Sequence, residues 1–225
     1  MTEQIQKYKD LIREILEKDR IWDLSDSILY DMCKKYPLHN NPKEIITKTL
    51  IIGRVYSVQL ERRKNKEGLI GDKFYEDKVI PTFLNSGIDD KLSKLRSKGL
   101  SPDVFDEIFH VHKFVMNILR PITDMNKRSF SSKYLHFHLP NLFFLYDSRL
   151  RQSVSLLNGE ITKDQTHQFL VNTDDYDIEY VKFFLKCYNL KNELQTILNR
   201  NLTIRKYDTV MIELSNYITQ KKMKV

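Results

Sequence analysis

In the stretch SFSSKYLHFHLPNLFFLYDSRL, Lys133 and Asp147 are of the types that covalent amine catalysis needs, a nucleophile and a carboxylate. Burying a lysine among apolar neighbours penalises its charge, so its pKa falls and its neutral amine becomes a usable nucleophile. If the segment is a helix, Phe130, Tyr134 and Phe137 form one apolar stripe and Leu135, Leu139 and Leu142 another. Lys133 and His136 are then one turn apart on the remaining face. A lysine that merely covers apolar surface with its stem fits the same spacing. Asp147, followed by Ser148, reads as the N-cap of a helix opened by SRLRQSV. A carboxylate there is held rigidly beside backbone N–H donors that can also receive a phosphate, so cap and catalyst are compatible roles.

The histidine pairs HVH (His110, His112) and HFH (His136, His138) suggest metal ligands at first sight. Residues two apart on a helix point about 200° from each other, so neither pair chelates one ion. With no His-x3-His, no metal is expected, and without a glycine-rich phosphate loop no nucleotide cofactor is expected either. Cys33 and Cys187 lie far apart without a CxxC, which excludes a cysteine-ligated zinc or iron–sulfur site and reads as two small core residues.

These residues must be positioned by helices. Only six Gly and six Pro occur in 225 residues, and the segments between them carry a 3.6-residue apolar period, so the chain reads as all-α. A first amphipathic helix covers EQIQKYKDLIREILEKD, and a second covers DLSDSILYDMCKKY, with Ser25 or Asp26 as its N-cap. A third starts with Asn41 as N-cap and Pro42 at the first helical position, then runs through Ile45, Leu50, Ile51 and Val55 as a long buried helix ending in ERRKNK. Gly68 and Gly71 break the chain. Helices resume over 72–86, 88–97 and 102–120, then in the quoted segment, in DIEYVKFFLKCYNL, in KNELQTILNR and over 203–219, with a less regular stretch after Gly159.

The 37 Lys and Arg against 30 Asp and Glu leave a net charge of +7, a balance that favours polyanionic partners. The charge is clustered in ERRKNK (Glu61 to Lys66), in Lys91, Lys94 and Lys98, and in Arg149 and Arg151 after Asp147. Such clusters suit a phosphate backbone, or else are solvated faces. No apolar run approaches the roughly 20 residues of a membrane span, and MTEQIQKYKD has no signal-peptide pattern, so no membrane partner and a cytoplasmic protein are expected.

Ser132, Lys133, Leu135, His136, Phe137, Pro140, Tyr146, Asp147 and Ser148 together resemble the catalytic core of the helix-hairpin-helix DNA glycosylases. The closer likeness is to a divergent bacterial group described as 8-oxoguanine DNA glycosylase-like. KTLIIGRVYS (Lys48 to Ser57) and the Arg205 and Asp208 of IRKYDTVMI look like the same group. The resemblance implies a two-lobed all-α fold with a cleft, the hairpin lobe made of 42–143 and the second lobe of 1–41 plus 144–225. It implies that Lys133 attacks C1′ of a flipped nucleotide in double-stranded DNA containing a modified base, an oxidised purine for instance. Asp147 orients the attacking group and stabilises the developing charge, and the Schiff base then permits AP lyase cleavage. His136, Arg54, Tyr56, Gln59, Arg62, Arg128, Ser132, Ser148, Arg149 and Arg151 are the expected DNA or substrate contacts.

The family's glycine-rich hairpin is absent, and NKRSFSS stands in its place. Lys127, Arg128 and the hydroxyls of Ser129, Ser131 and Ser132 are the groups left to contact phosphate. A catalytically inactive glycosylase-like module that binds DNA in repair or phage defence is the alternative, and a helical protein–protein adaptor is a third reading.

Overall fold

The computed structural model describes residues 5–18, 20–64, 71–171 and 174–222, apart from the side chains of Trp22 and Lys222. Expectations that fall on Glu3, Gln4, Asp19, Asn65, Lys66, Gly68 and the terminal 223–225 lie outside the described residues. No strand occurs among those described, and the chain is all-helical. No helix among them is long and apolar enough to cross a membrane.

The chain divides into two compact units, Trp22–Phe143 and Met1–Ile21 with Phe144–Val225. Residues 22–41, expected beside the first helix, belong instead to the unit that carries Lys133.

In that unit α2 (Ile21–Lys35) follows α1 (Lys9–Glu17) of the other unit, and it begins ahead of its expected start. Ser25 and Asp26 therefore lie inside the helix rather than capping it, and the Asp26 carboxylate accepts a hydrogen bond from Tyr56 Oη at 2.6 Å. Helix α3 (Pro42–Val55) begins as expected, with the Asn41 side chain accepting from Lys43 N at 3.0 Å and Pro42 in the first turn. It stops at Tyr56, well short of ERRKNK, because Ser57 takes a left-handed conformation (φ 55°) and the chain folds back. Its buried face is Ile45, Lys48, Thr49, Ile52 and Gly53. Ile51 and Val55, expected in the core, are 37% and 48% exposed because they lie off this stripe.

Gly53 is required by the fold-back. A Cβ there would stand 3.3 Å from the backbone Cα of Gln59, and Val58 N already donates to Gly53 O at 2.7 Å. Leu60 is fully buried just beyond, so the loop has no free direction in which to yield. Gly53→Ala should lower stability by about 1–2 kcal/mol despite alanine's better helix propensity, read as a fall in the urea midpoint. An unchanged or raised midpoint would show that the loop relaxes freely.

Helix α4 (Asp72–Phe74), a π-helical turn (Tyr75–Val79) and α5 (Ile80–Leu84) run on continuously, followed by α6 (Ile88–Leu95). A 3-10 turn (Pro102–Val104) opens α7 (Phe105–Thr123), which passes through Pro121 and ends at Asp124 (φ 50°). A short connection leads to α8 (Arg128–His138), which packs on α7 and α3. Phe83, Phe105, Phe109, Phe130, Tyr134 and Phe137 are within the core of this unit, each at most 2% exposed.

The other unit holds α1, α9 (Ser148–Leu156), α10 (Lys163–Phe169), α11 (Ile178–Leu198) and α12 (Ile204–Lys222). Helix α12 packs on α9 and α1. Helix α10 sits in the stretch that reads as irregular, and a capping box between Thr162 and Gln165 starts it. DIEYVKFFLKCYNL and KNELQTILNR form one helix, α11, because NLKN presents no break in the apolar face. Arg205 and Asp208 form an ion pair one turn apart in α12, with Asp208 2% exposed. Cys33 and Cys187 are both free and buried, as the sequence suggests.

Candidate active site

Helix α8 is buried all round: every residue from Phe130 to Phe137 is buried, the polar Ser131, Ser132, Lys133 and His136 included. Lys133 is 1% exposed, which eliminates the reading of a lysine extended over the surface with its amine in water. Its Nζ donates to Ser129 Oγ at 2.9 Å, one turn earlier on α8, and lies 5.9 Å from the centroid of the Tyr56 ring. Tyr56 comes from the C-terminal end of α3 and packs on Phe137 at 5.3 Å between ring centroids. His136 donates through Nδ1 to Phe143 O at 2.8 Å, and its Nε2 is 2.7 Å from Tyr30 Oη. Serine and tyrosine thus flank the amine, on a helix that also carries buried Phe130, Tyr134 and Phe137. Aliphatic surroundings would offer it no hydrogen-bond acceptor.

Asp147 belongs to the other unit. It is the N-cap of α9, in extended conformation, and its carboxylate accepts from Arg149 N at 2.8 Å. Ser148, Arg149 and Arg151 are exposed on the first turns, and the Arg151 guanidinium lies 5.3 Å from the Tyr146 ring centroid. The helix N-terminus, its capping carboxylate and two exposed arginines share one short stretch of surface.

The remaining expected contacts separate into exposed and buried groups. Arg54 is exposed, 3.9 Å from Glu61 Oε1, and Arg62 is exposed beside it in sequence. Arg128 is half-buried at the start of α8. Gln59 turns its amide oxygen inward, where it is buried without a hydrogen-bond partner. Ser132 is fully buried and donates to Ser129 O at 3.1 Å, and Ser131 is fully buried as well, so neither hydroxyl is presented to a phosphate.

Lys127, also expected at a phosphate, is buried as well. Its amine donates to Gln59 O at 3.0 Å and to Arg62 O, tying the connection before α8 to the loop after α3. Burial, with Arg62 and Arg63 nearby and only partly offset by Glu61, lowers its pKa to about 8. Lys64 N donates to Thr123 O at 3.2 Å as a second tie, and Arg63 stacks 3.9 Å over the Phe74 ring. Lys127→Met should cost about 1–3 kcal/mol, because two carbonyls lose their donor. The loop amides over 59–64 should exchange hydrogen faster while the α11 amides are unchanged, and equal exchange in both regions would contradict the tie.

Of the lysines expected on one face of α6, Lys91 lies 4.6 Å over the Phe114 ring and Lys98, beyond the helix end, pairs with Glu107. Only Lys94 of the three is exposed. His110 is exposed and bonded to Asp106 O at 2.9 Å, whereas His112 is fully buried on α7, so the pair diverges as helix geometry requires. Among the described residues no group of three or more His, Cys, Asp or Glu is arranged to hold a metal ion.

A second buried polar cluster has no counterpart in the sequence reading. His39 donates through Nδ1 to Asp89 Oδ1 at 2.6 Å, its backbone N donates to Asp89 Oδ2 at 2.9 Å, and Tyr134 Oη bonds its Nε2 at 2.6 Å. Lys48, fully buried, donates to Tyr36 O and Leu38 O at 2.8 Å each, satisfying carbonyls beyond the end of α2. Burial lowers its pKa to about 8. Tyr134 and Lys133 are neighbours on α8, so this cluster fixes the helix that carries the candidate nucleophile. Only His39, after Pro37, could have drawn notice in the sequence, and nothing there names its partners. Compared with protein-family models, curated proteins and solved structures, the chain matches none.

Proposed function

We propose that the protein is a DNA glycosylase with AP lyase activity that removes a modified base, an oxidised purine being the first candidate. The observation that supports this reading is the Lys133 amine, withdrawn from water among Tyr56, Ser129 and aromatic neighbours on a helix buried all round. A solvated lysine at this position would have had no chemical reading. In the proposed reaction the neutral amine forms a bond to C1′ of the deoxyribose as the glycosidic bond breaks, and the base leaves with that electron pair and takes up a proton. Ring opening gives an iminium at the lysine nitrogen. Loss of a C2′ proton then expels the 3′ phosphate and cuts the strand. Asp147, rigid as a helix cap, takes the role of stabilising positive charge on the sugar.

At 1% exposure the Lys133 side chain is closed to solvent, so the reading includes an opening of the side chains over it before attack. The same burial, together with hairpin hydroxyls turned inward, is what a scaffold that binds DNA without cutting it would have. Borohydride trapping on duplexes containing an abasic site or 8-oxoguanine separates the two readings. A covalent adduct supports the enzyme. Salt-dependent binding with no adduct on either duplex, unaffected by Asp147→Asn, selects the binding module.

A further inference from the structure

Helix α2 directs two side chains at the surroundings of Lys133. Asp26 and Tyr30 are four residues apart, on one face. The Asp26 carboxylate, 5% exposed, accepts from Tyr56 Oη at 2.6 Å, and Tyr30 Oη lies 2.7 Å from His136 Nε2. Tyr56 is the ring 5.9 Å from the Lys133 amine, and His136 follows Lys133 by three residues on α8. Both tyrosine rings also pack on Phe137, at 5.0 Å for Tyr30 and 5.3 Å for Tyr56.

Helix α2 has little apolar burial to hold it. Ile21, Leu24 and Ile28 are 92%, 70% and 58% exposed, and Leu29 and Cys33 are its buried apolar side chains among those described. A buried aspartate on such a helix costs desolvation, and its bond to Tyr56 offsets that cost while fixing the rotation of the phenol.

We propose that Asp26 and Tyr56 form a positioning couple for the Lys133 amine. The carboxylate locks the phenol so that its ring stands against the lysine nitrogen, and Tyr30 fixes His136 on the neighbouring turn. In the catalytic part, which rests on the glycosylase reading, the ring quadrupole favours the cationic iminium over the neutral amine at the same nitrogen, so the ring stabilises the state formed by attack.

The test has two readouts. In protein labelled with 13C at lysine Cε, the Lys133 methylene resonance, assigned by its loss in Lys133→Arg, carries a ring-current shift from Tyr56. Tyr56→Phe, which keeps the ring and removes only the hydroxyl, and Asp26→Asn should both move that resonance toward the position of an exposed lysine. In single-turnover trapping on an abasic duplex, both variants should lower the maximal rate by about tenfold or more and leave the half-saturating DNA concentration unchanged. A Lys133 resonance unmoved in both variants overturns the positioning couple. A resonance that moves while the trapping rate holds overturns its catalytic consequence. A resonance that moves in a protein whose wild type traps no DNA upholds the couple and ends the glycosylase reading.

Discussion

Lys133→Gln should abolish the borohydride-trapped adduct on an abasic duplex, with residual strand cleavage lower by on the order of 100-fold or more. The substitution leaves a side chain one bond shorter that still ends in a hydrogen-bond donor able to turn toward Ser129 Oγ, so the fold should survive and the loss report chemistry. Asp147→Asn is the matching test in the other unit. Asparagine caps a helix about as well as aspartate, so α9 and its bond from Arg149 N should persist while the negative charge is lost. The expected fall in rate is about 10²-fold or more, with thermal stability little changed. An adduct that persists in Lys133→Gln would place the nucleophile elsewhere, and Lys127 and Lys48 are the first amines to map, since burial lowers the pKa of each to about 8.

What the sequence made legible was local. Asn41 with Pro42, and Asp147 with Ser148, were readable as helix starts because capping depends on residues adjacent in the chain. The buried helix around Lys133 was legible for a related reason, since two apolar stripes leave only the face of Lys133 and His136 between them. Asp26 went the other way. It is as good a cap as Asp147 by type, and only the position of Tyr56, thirty residues along the chain, makes it a buried acceptor. Lys127 read as a phosphate contact and Lys48 only as the start of KTLIIGRVYS, but each serves a pair of backbone carbonyls in another segment, and backbone acceptors have no letter in the sequence. The missing hairpin glycines pointed toward side chains as substitute phosphate contacts. The structure instead turns Lys127, Ser131 and Ser132 inward and leaves Arg54, Arg62, Arg149 and Arg151 as the exposed basic side chains of the expected set.

The largest effect on stability is expected at His39, where α6, α8 and the segment between α2 and α3 meet through one imidazole. Asp89 Oδ1 accepts from Nδ1–H, so the neutral ring accepts at Nε2 from Tyr134 O–H, and every polar atom of the chain is satisfied in one tautomer. Burial, reinforced by the Lys48 charge and opposed by Asp89, lowers the His39 pKa to about 4. The groups facing the ring are Asp89 from α6, Lys48 from α3, Phe83 from α5, and Tyr134 and His138 from α8. His138 is shifted down by burial as well. Because the folded pKa lies below the usual 6.5, the unfolded chain binds a proton between those values that the fold does not. Stability is therefore intact above pH 6.5 and falls as the pH drops toward 4, by about 3 kcal/mol from His39. His39→Ala should cost about 3–5 kcal/mol at pH 7, because Asp89 and Tyr134 lose their partner and a cavity is left. It should also flatten the acid limb of a urea-midpoint profile between pH 6.5 and 4. Tyr134→Phe, which orphans only Nε2, should cost about 1–3 kcal/mol and make protonation of His39 easier, raising the folded pKa toward 6.5 and so shortening the limb from its acid end. A His39→Ala profile that keeps the wild-type limb would assign the acid sensitivity to His138 or to carboxylates elsewhere, and the Asp89–His39–Tyr134 chain would then be packing without electrostatic consequence.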